Sequence, residues 1–374
     1  MGQPGAERVR SFLVNWVFTS ICGMTIGQWT GMLRKHHFDI DPPYWPRAAF
    51  VTGASLITTL LRRYEDLVYG PKIKDVVIKP PLFILGHRRS GTTHLLNLLA
   101  IDQQFAYPNV FQALNPHTFL TTERFARYLR LLSPRTRIID NMKLGFEVPF
   151  EDEFATCNST LHSPYLSWAF PQSAHYYDRY LTFRDVPDEE IKQWQAGLIL
   201  FLKKLTWKYD RPLLLKSPPH TCRIKLLLRL FPEARFVHIR RNPFNVFQST
   251  KRQTMIMSRA TRLQNGNGKP VDARIIEGYK QMYDVFFEER SLIPAGQFHE
   301  ICFEELEKDR VGQIRQLYQA LNLPGFEAMR PSLQRYVDSL SGYQKNEYAE
   351  LPPALRSEIA RAWRQSFEEW GYAC

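Results

Sequence analysis

The stretch Pro81-Leu-Phe-Ile-Leu-Gly-His-Arg-Arg-Ser-Gly-Thr-Thr-His94 decides how this chain folds. Leu82–Leu85 is too short and too uniformly apolar for a half-exposed strand, so it reads as a core strand of a parallel sheet. Gly86 and Gly91, five residues apart, bound the loop that follows, and a helix opens near Thr92. A helix start presents unpaired backbone N–H groups and the positive end of its dipole, which suits an anion. The nucleoside-triphosphate form of such a loop places a lysine directly after its second glycine, then a hydroxyl for magnesium. Here Thr92 occupies the lysine position, and the positive charge lies inside the loop at Arg88 and Arg89. The loop is equipped for a phosphate-like group and lacks the usual equipment for a metal-bound triphosphate.

Outward from this stretch, strands and helices alternate. Further core strands are expected at Leu213–Leu215, Phe236–Ile239 and Phe298–Phe303. Helices are expected at Asp188–Tyr209, His220–Phe231, Phe244–Met257, Arg274–Arg290 and Val311–Leu321. Alternation of this kind implies an α/β fold, a central parallel sheet covered by helices on both faces. Ligands of such sheets sit at the carboxyl ends of the strands, where Arg89, Lys216 and Arg241 all fall. Pro108–Thr122 reads as irregular, Glu123–Lys143 as a basic helix, and Phe146–Tyr180 as an aromatic-rich insertion lining a pocket.

Three segments together resemble the sulfotransferases that use 3′-phosphoadenosine 5′-phosphosulfate (PAPS). Gly86-His-Arg-Arg-Ser-Gly-Thr-Thr93 is similar to the family's 5′-phosphosulfate loop. Ala234-Arg-Phe-Val-His-Ile-Arg-Arg-Asn-Pro-Phe-Asn-Val-Phe-Gln-Ser249 is similar to its 3′-phosphate site, with Ser249 eight residues after Arg241. Leu213-Leu-Leu-Lys-Ser-Pro-Pro-His220 resembles its strand ending in lysine. The match covers roughly residues 80–320, and Glu151-Asp-Glu-Phe154 with a C-terminal Trp-Gly-Tyr is most similar to the large bacterial-type branch. The resemblance implies a P-loop-like three-layer α/β/α fold. It implies transfer of a sulfuryl group from PAPS to a hydroxyl or amine by in-line displacement, without metal.

The same resemblance assigns roles. Arg89, Ser90, Gly91, Thr92 and Thr93 would hold the phosphosulfate, with arginine where relatives carry lysine. Arg241 and Ser249 would form a second, separate cradle for the 3′-phosphate, and Lys345 would close over it. Phe303 stands where relatives often carry a tyrosine near adenine. Lys216 would stabilise the leaving oxygen. The histidine that small cytosolic relatives carry two residues after this lysine is replaced by Pro218. The general base is therefore His220, or one of Glu153 and Glu151 in an acidic cluster set among aromatics. Two other readings compete. A P-loop kinase-like phosphotransferase is opposed by Thr92. A non-catalytic nucleotide- or membrane-binding scaffold is opposed by the retention of both cradles together with Lys216.

Composition narrows the partners. The chain has 374 residues and a formal charge of +12, and 44% of its residues are hydrophobic, enough for a large α/β core. A basic balance suits an anionic ligand or membrane face. No zinc-finger or basic-zipper pattern occurs, so nucleic acid is not an expected partner; a small-molecule, carbohydrate or lipid acceptor is. The five cysteines include no C-x-x-C pair, which speaks against structural zinc and for a reducing compartment, the cytoplasm or the cytoplasmic face of a membrane. Residues 1–78 read as an N-terminal helical region and 79–374 as the sulfotransferase domain, with an acceptor-side insertion about 105–210. Residues 11–33 carry no charge between Arg10 and Arg34, and Ala48–Leu61 is a second apolar run. A packed helical hairpin, a helix lying on a membrane surface and a membrane anchor all remain open for residues 11–61.

Overall fold

The structure, a computed structural model, describes residues 19–125, 147–266, 270–340 and 350–374. The strands are β1 (Leu82–Leu85), β2 (Leu214–Lys216), β3 (Arg235–Arg240) and β4 (Phe298–Cys302). The helices that matter below are α1 (Ile26–Lys35), α2 (Trp45–Lys74), α3 (Thr92–Leu99), α4 (Glu153–Thr160), α5 (Asp188–Tyr209), α6 (Ile224–Leu230), α7 (Pro243–Thr261) and α8 (Val271–Glu289). The chain divides into two compact units. One comprises Ile78–Tyr107, Tyr209–Arg252 and Pro270–Cys374; the other comprises Met1–Val77, Pro108–Lys208 and Gln253–Lys269.

The first of these units holds the sheet. Its four strands are parallel in the order β2-β1-β3-β4. The chain moves from β1 to one side, then returns to the other, so β1 sits at the point where the order reverses, the usual ligand position in an open α/β sheet. All four residues of β1 are buried. Leu82 and Ile84 join a core with Leu95, Leu98 and Leu99 of α3, Val237 and Ile239 of β3, and Leu317 and Leu333 beyond β4. Phe83 points the opposite way, onto Phe231, Phe236 and His220. Burial on both faces is why the strand carries no polar residue.

Local chemistry shifts several expected boundaries. The second strand begins one residue late, because Leu213 forms an isolated bridge with Ala106, and it runs on through Lys216. The helix expected at His220–Phe231 is broken. Pro218 and Pro219 start a 3₁₀ turn over Pro218–Cys222, and α6 follows only from Ile224. The segment Pro108–Thr122, expected to be irregular, contains the short helices Val110–Leu114 and Phe119–Thr122. Of the basic helix expected from Glu123 to Lys143, Glu123–Phe125 is a 3₁₀ turn and the remainder lies outside the described residues.

The second unit is helical. Thr25 and Gln28 form a capping box at the start of α1. Trp29 Nε1 and the Ile26 N–H of α1 donate to Thr52 and Thr59 of α2, each at 2.8 Å. Lys204 of α5 and Glu65 of α2 form a buried ion pair at 2.7 Å, and the Lys204 ammonium also donates to the Pro116 carbonyl at 3.0 Å. Removing one partner of such a pair would strand the other charge in the interior, at a cost of about 3–5 kcal/mol.

Candidate active site

The loop after β1 is built around two glycines. Gly86 has φ +140°, and its N–H donates to Thr221 Oγ1 at 2.7 Å. A Cβ there would lie 2.7 Å from the Ile239 carbonyl oxygen of β3. Gly91 has φ +104°, immediately precedes α3, and leaves no room for a Cβ, which would overlap the Phe303 ring. Both positions require glycine for conformation and for space. Gly91→Ala is expected to cost about 2–4 kcal/mol from backbone strain and overpacking. Urea unfolding measures this directly, and an unchanged midpoint would contradict the packing described.

His87 holds the loop from inside. Its N–H donates to the Tyr283 hydroxyl at 3.1 Å, its carbonyl accepts from Ser90 Oγ at 2.7 Å, and Nδ1 lies 2.7 Å from the Arg88 carbonyl. Burial, with the Arg88 charge beside it, pushes the imidazole down to about 3. The ring is neutral, so Nδ1 carries the proton that it donates to the carbonyl. The native pKa lies below the unfolded one, so below about 6.5 the unfolded chain binds a proton that the native state refuses. The resulting stability is full above pH 7 and is lost as pH falls from about 6.5 towards 3. At pH 5 the loss is about 2 kcal/mol. Buried His117, likewise pushed down to about 3, acts in the same direction. Unfolding free energies at pH 7.5 and 5 check this, and His87→Gln should flatten the slope.

The two arginines meet. Arg89 has φ +72°, in the left-handed region, and its Nε donates to Ser249 Oγ on α7 at 2.7 Å. Arg241, the residue after β3, donates from Nη1 to the Arg89 carbonyl at 3.1 Å, and its guanidinium carbon sits 4.3 Å from the Phe303 ring centroid. Arg89, Ser249, Arg241 and Phe303 are thus one connected group. The residues expected to form two arginine cradles are therefore in contact with each other, through the Arg89–Ser249 bond and the bond from Arg241 to the Arg89 carbonyl. Lys216 ends β2, is buried, and places its ammonium 3.4 Å from Thr93 Oγ1 in the first turn of α3. Ser90 and Thr92 are buried in the same loop. Lys345 lies outside the described residues.

Sequence reasoning passed over the supports of this group. Glu304 accepts the Asn242 N–H at 3.0 Å, and Asn242 in turn accepts from the Phe244 N–H at 3.0 Å at the start of α7. The Tyr372 hydroxyl donates to Glu304 at 2.8 Å. Burial alone would raise the Glu304 pKa, but bonds from Asn242, Cys302 and Tyr372 outweigh it and hold the carboxylate below its ordinary range. The turn carrying Arg241 is thereby fixed by an ionised acid. Its position directly after Phe303 was the available sequence signal.

The acidic cluster belongs to the other unit. Asp152 and Glu153 are fully buried at the start of α4, and Glu153 accepts from Ser163 Oγ at 2.7 Å. Glu151 is half-buried and accepts from the Tyr165 hydroxyl at 2.5 Å. Phe150 stacks on Phe154 and Tyr165 on Trp168, while the Phe154 and Tyr165 rings are tilted by 55° to each other. His220 lies in the 3₁₀ turn after β2, fully buried and edge-on to Phe83. Among the described residues no group of three His, Cys, Asp or Glu side chains is gathered in a metal-ligating arrangement.

A four-stranded parallel sheet with basic and hydroxyl side chains gathered at the ends of β1, β2 and β3 defines an open α/β protein, with those side chains where such sheets bind ligands. The sulfotransferase family profile matches residues 80–328. The chain is 34% identical over 358 residues to the omega-hydroxy-beta-dihydromenaquinone-9 sulfotransferases Stf3 of Mycobacterium tuberculosis and Mycobacterium bovis, covering 96% of this chain and 92% of each relative. The chain belongs to the sulfotransferase family and is a sulfotransferase. Its fold is shared with sulfotransferase STF1 of M. tuberculosis (TM-score 0.62, 17% identity, 96% of this chain and 99% of that one). It is also shared with STF9 of Mycobacterium avium (TM-score 0.64, 16% identity, 92% and 96%).

Proposed function

We propose that the protein transfers a sulfuryl group from PAPS to a hydroxyl on a lipid-like small molecule, without a metal. The observation that carries the donor assignment is the Arg89–Ser249–Arg241 group beside the glycine loop. It offers two guanidinium groups, a buried hydroxyl and the start of a helix, a donor set that fits a ligand with separate phosphate and phosphosulfate groups. PAPS supplies an activated sulfuryl group on a 3′,5′-ADP leaving group. Ser90, Thr92, Thr93 and the N–H groups at the start of α3 bind its 5′ end, and Arg241 and Ser249 bind its 3′-phosphate. Arg89, bonded to Ser249, braces the junction between them. Phe303 offers a flat face near this group. Lys216 supplies a fixed cation where negative charge grows on the leaving oxygen. For the acceptor proton Glu151 is the candidate base, since Glu153 and His220 are fully enclosed and Glu151 is half-buried within its own unit. Thr92 in place of a P-loop lysine favours a donor bound without magnesium. The acceptor class rests on the Stf3 relatives, which are named for omega-hydroxy-beta-dihydromenaquinone-9.

Calorimetry with 3′,5′-ADP and with ATP, each with and without magnesium, tests the donor reading. Tight binding of 3′,5′-ADP indifferent to magnesium is the expected result. Magnesium-dependent binding of ATP alone would overturn it. Transfer of labelled sulfate from PAPS to a hydroxylated isoprenoid quinone then tests the acceptor class.

A further inference from the structure

Helix α2 is inside out. The side chains it buries include Arg47, Ser55, Thr58 and Glu65, along with Val51 and Ile73. The large apolar side chains Trp45, Leu56, Ile57, Leu60, Tyr64 and Leu67 are all exposed, Leu60 by 67% and Leu67 by 79%. At about 100° per residue these six fall on one stripe opposite the buried face, and at about 1.5 Å per residue the stripe runs roughly 33 Å. A helix facing water carries the reverse pattern.

The inversion is built into the unit rather than left as a defect. Arg47 donates to the Arg262 carbonyl at 2.6 Å, and Glu65 receives Lys204 at 2.7 Å and the Thr121 N–H at 2.9 Å. The two inward charges, Arg47 and Glu65, thus have hydrogen-bond partners, which leaves the outward apolar face as the feature needing a partner. A contiguous exposed apolar surface of this kind marks an interaction site.

Charge selects the partner. Arg63 and Lys74 fall on the stripe's side of the helix at about 100° per residue, while Arg62 pairs at 3.4 Å with Asp66, the one exposed acid of the helix, away from it. Basic residues beside an apolar stripe that includes Trp and Tyr match the boundary between headgroups and acyl chains of an anionic bilayer. No helix among the described residues is long and apolar enough to cross a membrane, so the fit is in the membrane plane. We propose that α2 docks the protein on an anionic lipid surface through Trp45, Leu56, Ile57, Leu60, Tyr64 and Leu67.

This inference rests on the patterning of α2 and stands apart from the donor and acceptor assignments, so its test uses neither. The full chain is floated with vesicles of phosphatidylcholine containing about one third phosphatidylglycerol, and with phosphatidylcholine alone. The wild type should float with the anionic vesicles, less so in high salt, and Leu60→Glu with Leu67→Glu should weaken binding by roughly tenfold or more. Because both leucines are exposed, the double variant should keep its melting temperature. A wild type that stays in solution overturns the proposal. A dimer that dissociates in the double variant assigns the stripe to a second copy instead. Vesicle binding that survives the double variant but fails when residues 1–18 are removed assigns it to the N-terminal segment.

Discussion

Replacing Lys216 with methionine should lower kcat by about 10²–10³ while leaving affinity for 3′,5′-ADP nearly unchanged. The asymmetry follows from when the charge is needed. In the bound donor the bridging oxygen is only partly negative; as the sulfuryl group departs, its charge grows. A cation fixed beforehand stabilises the later state more than the earlier one, and only that difference accelerates the reaction. Lys216 is held in advance. It terminates a fully buried strand, pairs in register with Ile84 of β1, and is itself buried beside Thr93. Methionine keeps the length and apolar stem of the side chain while removing the charge, so the sheet should survive. Arginine is not a conservative choice here, since a planar fork would have to fit a space shaped for a compact ammonium. Single-turnover rates beside calorimetric 3′,5′-ADP affinities separate the two effects. Equal losses in both would reassign Lys216 to ground-state donor binding, and unchanged turnover would remove it from the chemistry.

The sheet was legible in the sequence because each core strand is a short apolar run punctuated by glycine, proline or charge. What the sequence could not resolve was direction. Arg89 and Arg241 both stood out as candidate cradle residues, but neither the left-handed backbone at Arg89 nor the bond from its side chain to Ser249 has a signature in a non-glycine residue. The fixing of the Arg241 turn by Glu304 and Tyr372 depends on residues about 62 and 130 positions away from it in the chain, a tertiary pairing that no local spacing encodes. The apolar run at Ala48–Leu61 was visible, yet its periodicity alone does not say which face is turned inward. The buried Lys204–Glu65 pair decides that, and ion pairs across 139 residues are invisible to a local reading. The helix expected at His220–Phe231 failed for a nearer reason, since the consecutive prolines before it start a 3₁₀ turn that takes in His220–Cys222, and the α-helix begins only at Ile224.

Glu151→Gln should reduce kcat by about 10²–10⁴ with donor affinity intact, the loss expected when a general base is removed. Three groups compete for that role, and their surroundings differ. Glu153 is enclosed at the start of α4 and engaged by Ser163, so Glu153→Gln should chiefly disturb the packing of Ser163 and Tyr165. His220 is enclosed against Phe83 in a proline-started turn, and His220→Asn should chiefly lower the melting temperature. Glu151 alone of the three retains exposure through which an acceptor hydroxyl could reach it, while Tyr165 orients its carboxylate with a 2.5 Å bond. Tyr165→Phe should then lower kcat by roughly tenfold through misorientation, a smaller loss than removal of the base itself. The comparison is decided by measuring kcat, 3′,5′-ADP affinity and melting temperature for all four variants together. Full turnover in Glu151→Gln would end its claim. A kcat loss in His220→Asn without loss of stability would pass the proton to the imidazole, four residues beyond Lys216.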